Sequence, residues 1–207
     1  MLGNDVLGDC AIAGPCHQTM LWAAEAGTPA PFDDKAAISN YQAVSGYNPA
    51  NPDTDQGCAI DDVARYWRNT GMIDAAGNRH KIVAYLDLAP GDIRELWTAL
   101  WLFQSVGMGF ALPDTAIQQT QQGQIWDVVP HAHIVGGHYV PAVARPASSM
   151  GLGITWGAKQ FFTARFYQRY SNQGIVALSE EMMVKGKSID GFDDATLRED
   201  LHAITRR

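Results

Sequence analysis

One thiol is set apart by its surroundings. Residues 3–10 read GNDVLGDC: two glycines, two aspartates and an asparagine precede a cysteine, and an apolar run follows at once. Such a stretch is too turn-rich for a strand and too polar for a core. It places Cys10 at the mouth of a helix. There the positive end of the macrodipole and the unpaired backbone N–H groups favour thiolate, the nucleophilic form. Asp9 works in the opposite sense, because a neighbouring negative charge raises a thiol pKa. A thiol so placed needs a cationic or basic partner, and imidazole is the usual one.

The chain has six histidines. His17 lies two turns along the same helix face as Cys10, too far to touch it. His80 begins a strand, His131 and His133 lie in a loop, and His202 belongs to the C-terminal segment. His138 differs: in VGGHYVPAVA it follows two glycines at the entry to an apolar strand, where the missing side chains leave room for a partner. The competing reading is a plain strand-edge histidine. Cys16 and Cys58 read as small buried hydrophobes. A zinc site built from Cys10, Cys16, His17 and Cys58 lacks a usual ligand spacing and a second paired motif, so no metal or organic cofactor is expected. Asp61 and Asp62 complement the N-terminus of their own helix.

These side chains need elements to position them. Residues 9–26 carry Cys10, Ala13, His17, Leu21 and Ala24 at helical spacing, with Asp9 as a cap, Gly27 and Pro29 as a stop, and Pro15 as an awkward guest. Further helices are predicted over 34–44 and 58–70, the latter ended by Gly71. Strands are predicted over 81–88, 106–112, 138–145, 152–157 and 174–179. Between the first two strands, 90–104 reads as an amphipathic helix with Ile93, Leu96, Trp97, Leu100 and Trp101 on its inner face. Residues 118–124 (QQTQQGQ) read as a polar loop, 158–170 as helix or irregular connection, and 193–204 as a helix capped by Asp193 or Asp194. Helices come first and most strands later, which is an α+β pattern.

Bulk composition bounds the function. The 207 residues are 46% hydrophobic, enough for a substantial core, and the net charge of −7 shows no basic patch for a nucleic acid. Lys185, Lys187, Arg206 and Arg207 alone cluster, and read as solvated ends. No apolar run is long enough to span a bilayer, and no secretory signal is visible. Three cysteines cannot all pair, which argues against a disulfide framework and favours a cytoplasmic setting. Oligomeric state is not readable.

The order of these motifs resembles the papain-like cysteine peptidases. In that family the nucleophile opens a long helix, six residues after a glutamine that donates to the oxyanion; here Asn4 stands six residues before Cys10. The family's His-Ala-Val strand and later Asn-Ser-Trp-Gly are matched by GGHYVPAVA and ITWG, and its Gly-Cys helix by DQGCAIDDVARYWRNTGM. The GND…GDC stretch and the TWG motif are most similar to bacterial and phage relatives of papain. The resemblance implies one two-lobed domain over 1–207. A helical lobe would span about 1–78, and an antiparallel, barrel-like sheet lobe about 79–207, with a cleft between. It implies Cys10 as nucleophile, His138 as base, Asn4 as oxyanion donor, Trp156 as a shield, and a peptide or protein substrate with no nucleic acid or membrane.

Departures from the pattern qualify these roles. The family's histidine-orienting asparagine falls on Ile154, which cannot accept a hydrogen bond, so Thr155 and Gln160 are the nearest replacements. Leu7 stands where the family often has a disulfide cysteine, leaving Cys58 without that partner. Ala59 and Ile60 replace glycines that line the family's substrate groove. A cell-wall amidase is a rival within the same chemistry. A papain-like fold that does not catalyse and serves as a binding or structural protein is the rival from another class.

Overall fold

The computed structural model describes residues 1–184, 187–188 and 191–204. The helices are α1 (Cys10–Glu25), α2 (Asp34–Ser45), α3 (Ile60–Asn69), α4 (Ile93–Phe103), α5 (Asp114–Gln121), α6 (Ala164–Tyr170) and α7 (Asp194–Ile204). The strands are β1 (Met72–Ile73), β2 (Arg79–His80), β3 (Ile82–Leu88), β4 (Val106–Pro113), β5 (Ile134–Ala147), β6 (Met150–Thr155), β7 (Ala158–Thr163), β8 (Ser171–Ser179), β9 (Met183–Val184) and β10 (Lys187–Ser188). The class is α+β, with a helical N-terminal part and a six-stranded antiparallel sheet. The chain divides into two compact units, one of Met1–Tyr85 with Ala177–Glu199, the other of Leu86–Val176 with Asp200–Arg207.

In the first unit, α1 packs on α2, α3 and the short turn Glu180–Met182. Ile12, Cys16 and Trp22 of α1 are fully buried, and Trp22 stacks on Trp67 of α3 at 5.8 Å. Pro15 sits inside α1, and its carbonyl accepts the Thr19 hydroxyl at 2.9 Å. The returning segment 177–199 is clasped by His80. Its Nδ1 lies 2.6 Å from Glu181 and its Nε2 3.1 Å from Asp74. Asp74 is buried and also accepts the backbone N–H groups of Ala76 and Asn78. Burial alone would lower the His80 pKa, but the bonds to Glu181 and Asp74 outweigh it and raise it.

The six-stranded sheet has the order β3-β8-β4-β5-β6-β7, and β4, β5, β6 and β7 lie wholly in the second unit. The sheet is open, with β3 and β7 as edges, so the barrel-like expectation is corrected to an unclosed sheet. Segment 158–170 resolves into β7 followed by α6, capped by Thr163. The expected loop at 118–124 is largely helix: α5 runs through Gln121 before the chain turns at Gly123. On α4, Trp97 is buried and stacks on Phe162 at 6.2 Å, but Trp101 is 65% exposed. The inner face centres on Leu96, Leu100 and Phe103, and a 100° step per residue carries Trp101 off it. Lys185, Arg206 and Arg207 lie outside the described residues.

Candidate active site

Cys10 is the first residue of α1, as the turn-rich approach requires. That approach is tied down by hydrogen bonds rather than by a core. The Gly8 N–H meets both oxygens of Asp55 at 3.1 Å, the Tyr41 hydroxyl donates to Asp55 at 2.5 Å, and the same hydroxyl accepts the Gly57 N–H at 2.9 Å. Asp55 thus joins the 3–9 loop to the loop before α3 and to α2. Cys10 and Cys58 are partly exposed, whereas Cys16 is fully buried.

Asp9 occupies the N-cap position, yet its side chain makes no cap bond. It is fully buried and neither carboxyl oxygen accepts a well-formed hydrogen bond. Gly3, at φ +90°, makes room for it: a Cβ there would stand 2.9 Å from the carboxyl. Burial pushes Asp9 up to about 7, with the Asn4 side chain a partial offset. The expected cap is therefore a buried acid that titrates near neutrality. Asn4 is half-buried, and its amide donates to the Leu7 carbonyl at 3.3 Å.

His138 lies on β5, opposite Phe110 of β4, and is 8% exposed. Its Nε2 is 2.6 Å from the Thr155 hydroxyl. Thr155 ends β6, where burial alternates: Gly153 and Thr155 are buried, Ile154 between them is half-exposed. The strand period of two therefore aims Thr155, and not Ile154, at the ring. Gln160 is buried elsewhere, donating to the carbonyls of Gln124 and Phe161 at 2.8 and 2.9 Å. Of the two acceptors considered, the structure brings Thr155 to His138 and uses Gln160 to hold the 124 loop.

Trp156 stacks on His138, with ring centroids 4.6 Å apart and planes 17° apart. It reaches that position through a two-residue turn between β6 and β7 in which Trp156 and Gly157 have φ of +47° and +69°. A tryptophan in the left-handed region is strained, and here it lies against the candidate base. Trp126, which the sequence reading did not single out, completes the surround. It is fully buried, 6.5 Å edge-on from His138 and 6.1 Å from Trp156, and donates from its indole to Thr120 at 2.8 Å. Its sequence setting, QIWDVV, carries no spacing that would have marked it. Burial pushes His138 down to about 4, so the ring is neutral at pH 7 unless a negative partner stands beside it. Among the described residues, no group of three His, Cys, Asp or Glu is arranged to hold a metal ion.

No family model matches the sequence, and no curated protein matches it. Solved structures do match. Xylellain, a cysteine protease from Xylella fastidiosa, superposes with a TM-score of 0.64 at 13% identity, covering 83% of this chain and 80% of that one. A structure from work on the mite allergens Blo t 1 and Der p 1 gives 0.51 at 10% identity, covering 83% and 64%. Both likenesses are of fold, and they agree with the architecture above: the chain has the fold of the papain-like cysteine proteases.

Proposed function

We propose that the protein is a thiol hydrolase of peptide or amide bonds, with Cys10 as nucleophile and His138 as the group that takes and returns the proton. The setting of His138 carries this reading. Its Nε2 is committed to Thr155 and its face to Trp156, so the ring has one orientation, and proton exchange falls to Nδ1. A structural strand-edge histidine has no need of such a clamp. With Thr155 accepting from Nε2–H, Nδ1 carries the lone pair of a general base.

In this mechanism Nδ1 withdraws the Cys10 proton, and the thiolate attacks the substrate carbonyl. The imidazolium then protonates the leaving amine, and water repeats the cycle to release the acyl group. Burial of His138 disfavours a standing ion pair, so charge develops mainly as the thiolate forms beside it. The Cys10 backbone N–H and an Asn4 amide N–H serve the oxyanion. The Asn4 amide donates to Leu7 and its side chain also bears on the Asp9 carboxyl, so the second N–H must turn from Asp9 to serve the oxyanion. Thr155 and Trp156 position the base, whereas Gln160 has a structural role.

The test is hydrolysis of a fluorogenic peptide library alongside cell-wall peptide fragments, with Cys10→Ala as the control. Turnover of either that vanishes in Cys10→Ala supports the reading, and the preferred library names the substrate class. Slow, pH-independent alkylation of Cys10 with no turnover of either would mean a fold that binds and does not cleave.

A further inference from the structure

Two cysteines of the first unit flank one hydrogen-bonded junction. The backbones at Gly8 and Gly57 run close together: a Cβ added to Gly8 would lie 3.5 Å from the Gly57 nitrogen, and one added to Gly57 would lie 3.6 Å from the Gly8 carbonyl oxygen. Asp55 and Tyr41 lock the same junction through both glycine N–H groups. Cys10 lies two residues beyond Gly8 and Cys58 one residue beyond Gly57, and each is partly exposed. The two thiols also sense each other: after burial, Cys10 is the largest influence that pushes Cys58 up, to about 12. Cys16 is fully buried and is not open to oxidant.

We infer that Cys58 is a resolving cysteine for Cys10, so that peroxide converts the pair into a reversible Cys10–Cys58 disulfide. The Cys10 thiolate attacks hydrogen peroxide, the O–O bond breaks, and Cys10 becomes a sulfenic acid with release of hydroxide. The Cys58 sulfur then attacks the sulfenic sulfur, the S–O bond breaks, and water leaves with the Cys58 proton. Two thiols and one peroxide give one disulfide and two waters. The disulfide occupies the sulfur that the proposed hydrolysis requires. That consequence rests on the proposed function; the cross-link itself does not. A reductant of the dithiol class returns both thiols.

The full chain is treated with a molar excess of hydrogen peroxide, enough to carry an unresolved sulfenic acid on to sulfinic acid, then alkylated, digested without reductant and mapped by mass spectrometry. The expected product is a peptide pair joining Cys10 to Cys58, two hydrogens lighter than its parts and lost on dithiothreitol treatment. In Cys58→Ser the same exposure should drive Cys10 to sulfinic acid, which dithiothreitol does not reverse. A wild-type chain that yields Cys10 sulfinate and no linked pair overturns the inference, with no variant needed. So does a pair joining Cys10 to Cys16. If the Cys10–Cys58 pair forms but no peptide is cleaved by reduced protein, the disulfide stands and the hydrolase reading falls.

Discussion

Cys10 and His138 are held by contrasting surroundings. The loop that leads to Cys10 is held by backbone N–H groups, Asp55 and the Tyr41 hydroxyl, and the residue before Cys10 is a buried Asp9 whose oxygens lack well-formed hydrogen bonds. Around the imidazole the contacts are Trp156, Trp126 and a single hydroxyl. The first setting is polar, loop-built and rich in groups that titrate. The second is aromatic, sheet-built and almost free of charge. On the proposed mechanism this contrast would divide the chemistry: His138 would bring orientation, which aromatic packing does well, and Cys10 electrostatics, which can be tuned by one proton.

The sharpest way to break that division is to remove the base. On the proposed mechanism, His138→Ala should lower turnover by about a thousandfold or more and slow alkylation of Cys10 at neutral pH, measured by stopped-flow labelling. Unchanged labelling would detach the two regions functionally.

Next comes the orienting hydroxyl. Thr155→Val keeps shape but deletes the acceptor, and should cut turnover by about ten- to a thousandfold with little change in stability. Ile154→Asn should not compensate, because that side chain leaves the strand on the other face. Recovery of rate in the Ile154→Asn, Thr155→Val double variant would show that the ring can be oriented from either face.

Asp9 probes the other region. Its carboxyl titrates near 7 in the fold and near 3.8 ordinarily. The folded protein therefore holds a proton that the unfolded chain has lost between those values, and stability falls as pH rises from about 4 to about 7. Asp9→Asn should flatten that fall, by at most about 4 kcal/mol, in urea titrations at pH 5 and pH 8. It should also speed Cys10 alkylation above pH 7, where a repelling charge has gone, and leave it unchanged below. Equal labelling at all pH values would mean that the carboxyl does not reach the thiol electrostatically.

A smaller effect is expected at the His80 clasp. Its raised pKa means that the stabilisation is fully present below about 6.5 and is lost as pH rises through the folded value. Asp74, lowered against its own burial by bonds from His80 and Asn78, contributes above about 3.8 and is lost as pH falls further. His80→Gln should destabilise by about 2 kcal/mol near pH 6 and by less near pH 9. Gln160→Ala should be the mildest: it frees the carbonyls of Gln124 and Phe161 and leaves the His138–Thr155 bond intact.

Local physics was sufficient for a good part of this molecule. The helix that opens at Cys10, the strand that carries His138 and the helices-then-strands order were legible because capping, turn residues and hydrophobic period act over a few neighbours. The likeness to papain-like peptidases rested on such short motifs in order, and the fold agrees with it. Three features were decided only by the tertiary structure. Asp9 looks like an N-cap in sequence and becomes a buried acid, because Gly3 gives it space and nothing local predicts that packing. Trp126 joins His138 only because β5 and the 124–126 segment are brought together by the sheet. Thr155 rather than Ile154 meets the ring because a one-residue step along a strand reverses the face. A motif laid on a motif does not carry that parity; strand pairing sets it.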